Sequence, residues 1–373
     1  MIRVEFRSLS CRIATQWVTA TPSSSLPIDD CEFSVGVARY LGIRLEALAH
    51  CAGDSIPTAR GAMQCDPYGH TLSRASMLLT GFTECHEECA WPIWHMLAEA
   101  GYTVQLGDDG RGPGHLFDSV LPVGALLDPR TRSTLVPDAA VTIALPELRT
   151  ERGAVQATRP MPARLLLFDV KGIHGGTSWY QCPRARDEQA GAVAQRAHSI
   201  ALEYRRHARE VDERYHGPYS TQVLDRLDSF TAVRGLCVGH YGEASPDIHR
   251  LVDVAAAAAG QHHRRWGART AAEARSFALQ RYRRVLGLTF FRAMSRHLIR
   301  RVPFVGLDYE LVRSQCDRFR RGERIFIGEV ARPPPDLGLA PEIFYAWLAD
   351  THQVFTQGGQ DAGGALPGID DAA

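Results

Sequence analysis

The sequence Arg164-Leu-Leu-Leu-Phe-Asp-Val-Lys171 decides the fold of this chain. Its four consecutive apolar residues predict a buried β-strand, and Asp169 and Lys171 come at the end of that strand. Side chains two residues apart lie on the same face of a strand, so this aspartate and this lysine are predicted to point in the same direction. A strand end whose two charges form a solvated ion pair is the alternative interpretation.

Lys171 is the only lysine among the 42 lysine and arginine residues of the chain. A composition with this bias would place arginine wherever either cation serves. The single lysine therefore indicates a site that needs a compact ammonium group rather than a planar guanidinium group.

The composition of the 373 residues is that of a globular chain with room for a sizeable core, at 45% hydrophobic and 23% charged residues. The formal net charge is +0, which excludes a global basic signature of nucleic-acid binding. No run of about 18 apolar residues occurs and the N-terminus lacks the apolar segment of a signal peptide, so we expect no membrane span. The 9 cysteines, an odd number at irregular spacing, predict reduced thiols in an intracellular compartment.

Apolar periodicity predicts alternating helices and strands. Helices are predicted over 31–41, 86–101, 185–214, 246–259, 270–301 and 308–322, and strands over 102–106, 136–145, 165–171 and 233–240. The second strand is almost continuously apolar, which predicts a central position, and a polar hairpin connection follows it. From the second helix the order is helix, three strands, helix, strand. This order predicts an α/β fold with a mixed four-stranded sheet and a helical C-terminal extension.

Shifts in composition divide the chain into five predicted segments. These are an N-terminal lead-in with a short helix (1–50), a Cys/His-containing segment (51–89), an αβββαβ core (86–245), a basic helical extension (246–330) and a Pro/Gly-rich tail with one short helix (331–373). The core contains the strand that carries Asp169 and Lys171, so we expect the chemistry of the protein there.

A second acidic residue, Asp138, follows Pro137 at the start of the preceding long strand. Paired strands of one sheet can bring Asp138 close to Asp169, and two converging carboxylates repel each other unless a cation lies between them. We therefore expect a hard divalent ion, Mg²⁺ or Mn²⁺, that binds a scissile phosphate and lowers the pKa of a bound water. Lys171 beside this ion could hold the water or stabilise the pentacovalent phosphorus.

The order of these motifs resembles that of the PD-(D/E)XK nuclease superfamily, whose core order is α-β-β-β-α-β. More narrowly, about residues 17–300 are similar to the restriction-like endonuclease domain of non-LTR retrotransposon proteins. The matching segments are Trp17-Val-Thr-Ala-Thr-Pro22, Leu41-Gly42, Asp66-Pro-Tyr-Gly-His70, Pro137-Asp138 and Asp169-Val-Lys171. The resemblance implies a restriction-endonuclease-like fold and a metal-dependent DNA endonuclease.

The resemblance also implies roles for individual residues. Asp138 and Asp169 would be catalytic metal ligands and Lys171 a catalytic cation. Many members of the superfamily carry a further acid on the first helix or the next strand, and Glu99 is the candidate for it here. The alternatives to Glu99 are Glu87, Asp108 and Asp109.

The segment before the core is rich in cysteine and histidine, and the resemblance implies a zinc site made of Cys51, Cys65, His70 and His86. Related domains have close cysteine pairs and a further cysteine soon after the Gly-His dipeptide, where this chain has Leu72-Ser73. No C-x-x-C pair occurs in the segment. Scattered buried thiols and a turn histidine therefore remain the alternative to a zinc site.

Local arginine clusters are the remaining signal of nucleic-acid binding. Arg281, Arg284 and Arg296 on the predicted helix over 270–301 are the expected DNA contacts, and a solvated helix face is the alternative. The resemblance implies DNA and a reverse transcriptase encoded with the protein as partners, and the nucleus as its location.

Three functions remain open from the sequence. The first is a metal-dependent DNA endonuclease, and the second is a nucleic-acid-binding module of the same fold that has lost its chemistry. The third is an α/β protein in which the Asp-x-Lys motif is coincidental, and only this one predicts that Asp138 and Asp169 lie far apart.

Overall fold

A four-stranded mixed β-sheet lies at the centre of the fold in the computed structural model. The residues that the structure describes are 13–19, 28–77, 82–107, 113–145, 148–151, 154–157, 163–175 and 191–321. The predicted tail over 331–373 and the two alternative acids Asp108 and Asp109 lie outside the described residues.

The strands form the central sheet and two small hairpins. In chain order they are β1 (Ser55–Thr58), β2 (Gly61–Gln64), β3 (Val104–Leu106), β4 (Ala139–Ile143), β5 (Leu148–Glu151), β6 (Ala154–Ala157), β7 (Arg164–Gly172) and β8 (Arg234–Val238). The central sheet has the order β3-β4-β7-β8, whereas β1 pairs with β2 and β5 pairs with β6. Within the central sheet β3, β4 and β7 are antiparallel neighbours, and β8 is parallel to β7.

The α-helices follow most of the predicted positions. In chain order they are α1 (Gln16–Thr19), α2 (Asp30–Leu41), α3 (Glu46–Ala49), α4 (His70–Arg74), α5 (Thr83–Glu99), α6 (Pro129–Leu135), α7 (Gly191–His216), α8 (Gln222–Ser229), α9 (Pro246–Gln261), α10 (Ala271–Ile299) and α11 (Tyr309–Arg320). Asp29 caps α2 through a capping box with Glu32. None of the helices in the described residues is long and apolar enough to cross a lipid bilayer.

The α/β class and the mixed four-stranded sheet predicted from the sequence are confirmed. The core order is α5, β3, β4, β7, α7, β8, and β4 and β7 occupy the two central positions. Both faces of these two strands are covered, which is why their sequences are almost continuously apolar. The predicted hairpin between them is formed by β5 and β6, whereas the hairpin of β1 and β2 and the short helices α6 and α8 were not predicted.

Each face of the central sheet packs against helices. Phe168 and Val170 of β7 belong to a core cluster with α5, α9 and α10, whereas Leu167 belongs to a cluster with α7. Because side chains alternate along a strand, Asp169 and Lys171 share the α7 side of β7 with Leu167. The two charged residues therefore lie at the end of a strand that is buried on both faces.

The helices predicted as a C-terminal extension are part of the main core. Ala255 of α9 and Leu286 and Phe290 of α10 are buried in the same cluster as Phe168 of β7. α10 also packs against α9, α5 and α2. The helices of the predicted basic extension thus pack on the sheet, because α10 carries large apolar side chains that are stable only when they are buried.

The predicted Cys/His segment folds around the β1–β2 hairpin and α4, and it packs against the C-terminal end of α10. Ile56 of β1 and Leu298 of α10 belong to one buried cluster. Arg301, only 1% exposed, lies at this contact and donates hydrogen bonds from Nη1 to the carbonyl oxygens of Leu72 (2.9 Å) and Ala75 (2.8 Å). The buried guanidinium group thereby joins the hairpin segment to the helical layer.

Candidate active site

The strand register brings Asp138 and Asp169 to the same end of the sheet. β4 and β7 are antiparallel, and Ala139 pairs with Phe168. One residue beyond this pair, Asp138 lies opposite Asp169, and the backbone N–H of Val170 donates a 2.6 Å hydrogen bond to Oδ2 of Asp138. The structure thus brings together the two carboxylates that the sequence predicted on neighbouring strands, which argues against a coincidental motif.

Lys171 forms an ion pair with Asp169. Its Nζ lies 3.0 Å from Oδ1 and 2.9 Å from Oδ2 of Asp169, as their spacing along the strand predicts. The side chain of Asp169 is 2% exposed, whereas that of Lys171 is 38% exposed. The pair is therefore not the solvated strand end of the alternative interpretation, because its acidic member is buried.

Tyr204 on α7 is a second partner of Asp169 that the sequence analysis missed. Its hydroxyl group donates a 2.8 Å hydrogen bond to Oδ1 of Asp169, and the residue is buried. Ile200 and Ala208, one turn before and one turn after it on the same helix face, are also buried. This apolar spacing predicts a buried tyrosine, and a buried tyrosine hydroxyl requires a hydrogen-bond partner.

His86 on α5 holds the other carboxylate. Its Nε2 lies 3.0 Å from Oδ2 of Asp138, so this oxygen has both the imidazole of His86 and the N–H of Val170 as partners. α5 and α7 lie on opposite faces of the sheet, and each contributes one side chain that contacts one of the two acids. We refer to Asp138, Asp169, Lys171, His86 and Tyr204 as the carboxylate site.

The two acids of the carboxylate site have opposite pKa shifts. Burial raises the pKa of Asp169, and the charge of Asp138 adds to this effect, although Lys171 and Tyr204 oppose it. Burial also acts to raise the pKa of Asp138, but the hydrogen bond and charge of His86, together with the charge of Lys171 and the N–H of Val170, hold the pKa below its usual value. Neighbouring acids whose pKa values are driven apart are typical of functional sites.

The two acids raise the pKa values of the two basic groups of the site. Burial acts to lower the pKa of His86, but the hydrogen bond to Asp138 and the charge of Asp138 together raise it. Burial likewise acts to lower the pKa of Lys171, and the charges of Asp169 and Asp138 raise it instead. The ammonium group of Lys171 therefore stays charged at neutral pH.

The carboxylate site opens into a cleft of about 690 Å³. Its lining includes residues of α5, among them His86, Glu87 and Trp91, and residues of α6, among them Arg132. The acids, Lys171 and the residues after it complete the lining. The cleft thus has the size of a small-molecule or single-strand binding site, and its lining includes the acids and the lysine of the carboxylate site.

Glu99, the expected fourth catalytic acid, is not brought to the cleft. It lies at the C-terminal end of α5, forms a 3.1 Å ion pair with Arg281 and lines a separate hollow. Glu87 is twelve residues earlier, about 18 Å along the helix axis, and it does line the cleft. Of the alternatives weighed from the sequence, Glu87 is therefore the one that the structure places beside the carboxylate site.

The four residues of the implied zinc site are not brought together. Cys65 is buried with Cys51 in the hairpin cluster, and burial raises the pKa of its thiol to about 12. The ring of His70 lies 5.7 Å from that of His240, whereas His86 faces the cleft. In the part of the chain that the structure describes, no group of three or more His, Cys, Asp or Glu side chains is placed to hold a metal ion.

Arg296 of α10 lies in an ion-pair network between helices. It pairs with Glu32 of α2 and with Glu88 of α5, the latter at 3.4 Å. Arg292 pairs with Glu32 at 3.1 Å, and Arg300 pairs with Glu88 at 2.8 Å. Because Glu32 is buried, this network joins helices inside the fold, and Arg296 is not an open phosphate contact.

Arg281 and Arg284 lie on the N-terminal half of α10, and both are exposed. The guanidinium group of Arg281 lies 5.8 Å from the ring centre of Trp266 and pairs with Glu99. Of the three expected DNA contacts, these two remain at the surface, and neither lines the cleft.

A cluster of buried histidines borders the cleft. His174, which lines the cleft, stacks on His297 at 4.4 Å between ring centres, and Phe82 lies 4.8 Å from His174. The guanidinium group of Arg301 lies 4.5 Å from the ring centre of Phe82, and His240 is buried nearby against His70. We refer to His174, His240, His297, Phe82 and Arg301 as the histidine cluster.

The donors present fit Mg²⁺ or Mn²⁺ better than zinc. Within the described residues, Oδ2 of Asp169 is buried and receives no hydrogen bond, and its contact is the Lys171 ammonium group. Mg²⁺ commonly binds one or two carboxylates and completes its shell with water and substrate phosphate, so Asp138 and Asp169 are the residues that would hold it. Structural zinc needs four closely spaced ligands, which the described residues do not supply.

Comparisons with known proteins found no relative of this chain. No protein-family model, curated protein or solved structure matches it. The geometry and chemistry of the cleft are thus the basis for assigning a function.

Proposed function

We propose that this protein is a metal-dependent DNA endonuclease of the PD-(D/E)XK type, with a restriction-endonuclease-like fold. The observation that carries the proposal is the convergence of Asp138, Asp169 and Lys171 at one end of the central sheet. A retrotransposon origin, action in the nucleus and a reverse transcriptase as partner belong to the same proposal, and they rest on the sequence resemblance.

The topology supports this proposal. The core runs from α5 through the antiparallel strands β3, β4 and β7 to α7 and the parallel strand β8. This is the αβββαβ order that the resemblance implies. Asp138 comes directly before the second strand of this order, and Asp169 and Lys171 are in the third strand, which are the positions expected of the Pro-Asp and Asp-x-Lys motifs.

In the proposed mechanism each residue of the carboxylate site has its own role. Asp138 and Asp169 would hold Mg²⁺ or Mn²⁺, which when bound acts as a Lewis acid on the scissile phosphate and activates water. Lys171, with its side chain partly exposed, directs its ammonium group at the attacking water or at the developing charge on phosphorus. His86 and Tyr204 each fix the orientation of one carboxylate.

A nucleic-acid-binding module without cleavage activity is the second candidate. It is favoured by the absence, among the described residues, of any cluster of three or more candidate metal ligands. It is weakened by the ion-pair network of α10, because Arg292, Arg296 and Arg300 are already paired with glutamates. The divergent pKa shifts of the two acids at the cleft support the catalytic candidate.

The test is nicking of supercoiled plasmid by the purified protein with Mg²⁺ or Mn²⁺. The Lys171→Ala variant should be slower by about 10²-fold or more, as for the loss of a charge-stabilising donor. Lys171→Arg keeps the charge, so it serves as a second variant in case Lys171→Ala does not fold. It should also be slow because a planar guanidinium group replaces a compact ammonium group. Arg205→Ala, which removes an exposed ion pair between α7 and α8, should cleave like the wild type. Equal nicking by all variants, or none by the wild type with either metal, would refute the proposal.

A further inference from the structure

Trp91 forms an aromatic surface at the cleft. It lines the cleft from α5 and is 42% exposed, whereas Trp94, which also lines the cleft, is only 6% exposed. A tryptophan buries more apolar area than most other side chains, so leaving nearly half of it in solvent is costly for stability alone. An exposed aromatic ring in a concave site is typical of a surface that stacks on a flat ligand.

Helical spacing places this ring beside the carboxylate site. Glu87, Trp91 and Trp94 are at positions i, i+4 and i+7, so they share one face of α5. Trp91 is one turn, about 6 Å along the axis, from Glu87. His86, adjacent to Glu87, makes the 3.0 Å contact with Asp138. Trp91 therefore lies one helical turn from the part of α5 that contacts the carboxylate site.

Polar residues of α6 also line the cleft. Arg132 and Ser133 are among its lining residues. A cation, a hydroxyl group and an aromatic ring in one cleft match the two parts of a nucleotide strand, its phosphates and its bases. At about 690 Å³ the cleft has the volume of a small-molecule site, which takes a few nucleotides of one strand rather than both strands of a duplex.

We propose that the cleft binds a single, unpaired DNA strand, with a base stacked on Trp91 and the backbone directed past Arg132 to the carboxylate site. This inference rests on the proposed nuclease function and names its substrate as single-stranded or locally opened DNA. In duplex DNA the target nucleotide is paired and stacked, so its entry into the cleft requires opening of the helix.

The test is binding of a labelled 20-nucleotide single strand, and of the matching duplex, by fluorescence anisotropy with Ca²⁺ as the divalent ion. The wild type should bind the single strand more tightly than the duplex. Trp91→Ala should weaken single-strand binding by about tenfold, as for the loss of one base–aromatic stack, whereas Trp91→Phe should retain most of it. Phe277→Ala removes an aromatic residue of similar exposure, 47%, from α10 outside the cleft and should have no effect.

The possible outcomes separate this inference from the nuclease proposal. Duplex binding as tight as single-strand binding, no binding by the wild type, or single-strand binding unchanged in Trp91→Ala would overturn the inference. If the protein nicks plasmid in a Lys171-dependent way but binds the single strand equally well without Trp91, only the inference is refuted. If the protein binds single strands through Trp91 but does not cleave DNA, only the nuclease proposal is refuted.

Discussion

Two groups of ionisable side chains border the same cleft, and they shift the pKa of histidine in opposite directions. In the carboxylate site, Asp138 outweighs burial and raises the pKa of His86. In the histidine cluster, burial lowers the pKa of His174 to about 3, and the charge of Arg301 acts in the same direction. The comparison shows that neighbouring charges decide which histidine can carry a proton, even where both line one cleft.

The histidine cluster has the contacts of a structural element. Nε2 of His297 lies 2.9 Å from the carbonyl oxygen of Ser73, which joins α10 to the hairpin segment. Burial is also the main cause that lowers the pKa of His297 and of His240 far below the usual value. These imidazoles are neutral at neutral pH, whereas the carboxylate site holds charged groups in place. The first group stabilises the fold, and the second is available for chemistry.

Acidification is expected to have the largest effect, and it acts through the histidine cluster. A histidine whose folded pKa is lowered contributes stability above its usual pKa of 6.5 and loses it as the pH falls toward the folded value, about 3 for His174. Each such histidine should lower the free energy of unfolding by about 1.4 kcal/mol per pH unit below 6.5. Chemical denaturation at pH 7, 6 and 5 measures this slope.

The matched variants for this prediction are His174→Gln and His198→Gln. His174→Gln should remove the contribution of one histidine to the pH dependence of the unfolding free energy. His198→Gln, at an exposed position on α7, should leave that dependence unchanged. A free energy of unfolding that does not depend on pH between 7 and 5 would show that the cluster is not neutral and buried.

The next effect concerns Tyr204 in the carboxylate site. Tyr204→Phe removes the 2.8 Å hydrogen bond to Asp169, which should cost about 1–2 kcal/mol of stability. It should also lower kcat of the proposed nuclease by about tenfold with KM unchanged, because Asp169 is less well positioned. Tyr215→Phe, on the same helix and bonded to Thr131, is the control and should leave kcat unchanged. Equal kcat values for both variants would assign Tyr204 a purely structural role.

The smallest expected effect distinguishes His86 from His174 by its sign. A histidine whose folded pKa is raised contributes stability that is complete below pH 6.5 and is lost as the pH rises through the folded pKa. The difference in unfolding free energy between the wild type and His86→Gln, in metal-free buffer, should therefore be largest near pH 6 and smaller near pH 9. It should stay below about 1 kcal/mol because both side chains of the pair are partly exposed. A difference that grows with pH would contradict the assignment.

Most elements of the core were predictable because they depend on local periodicity. The apolar run before Asp169 predicted β7, and the i, i+2 spacing predicted its contact with Lys171, because successive side chains of a strand alternate between faces. The start of α2 is local in the same sense, because Asp29 and Glu32 form a capping box there. The differences from the expected placements concern longer distances: Glu99 is on the predicted helix but about three turns from Glu87 and outside the cleft, and His86 faces Asp138 instead of the cysteines.

The sequence by itself determined the strands, the helices and the shared face of Asp169 and Lys171, since covalent geometry sets the periods of both structures. Only the tertiary structure decided that Asp138 lies opposite Asp169, and that His86 and Tyr204 reach this pair from opposite faces of the sheet. It also decided the pKa shifts of the two histidine environments. The physical reason is that register, burial and Coulomb interactions depend on groups far apart in the chain, which no local pattern records.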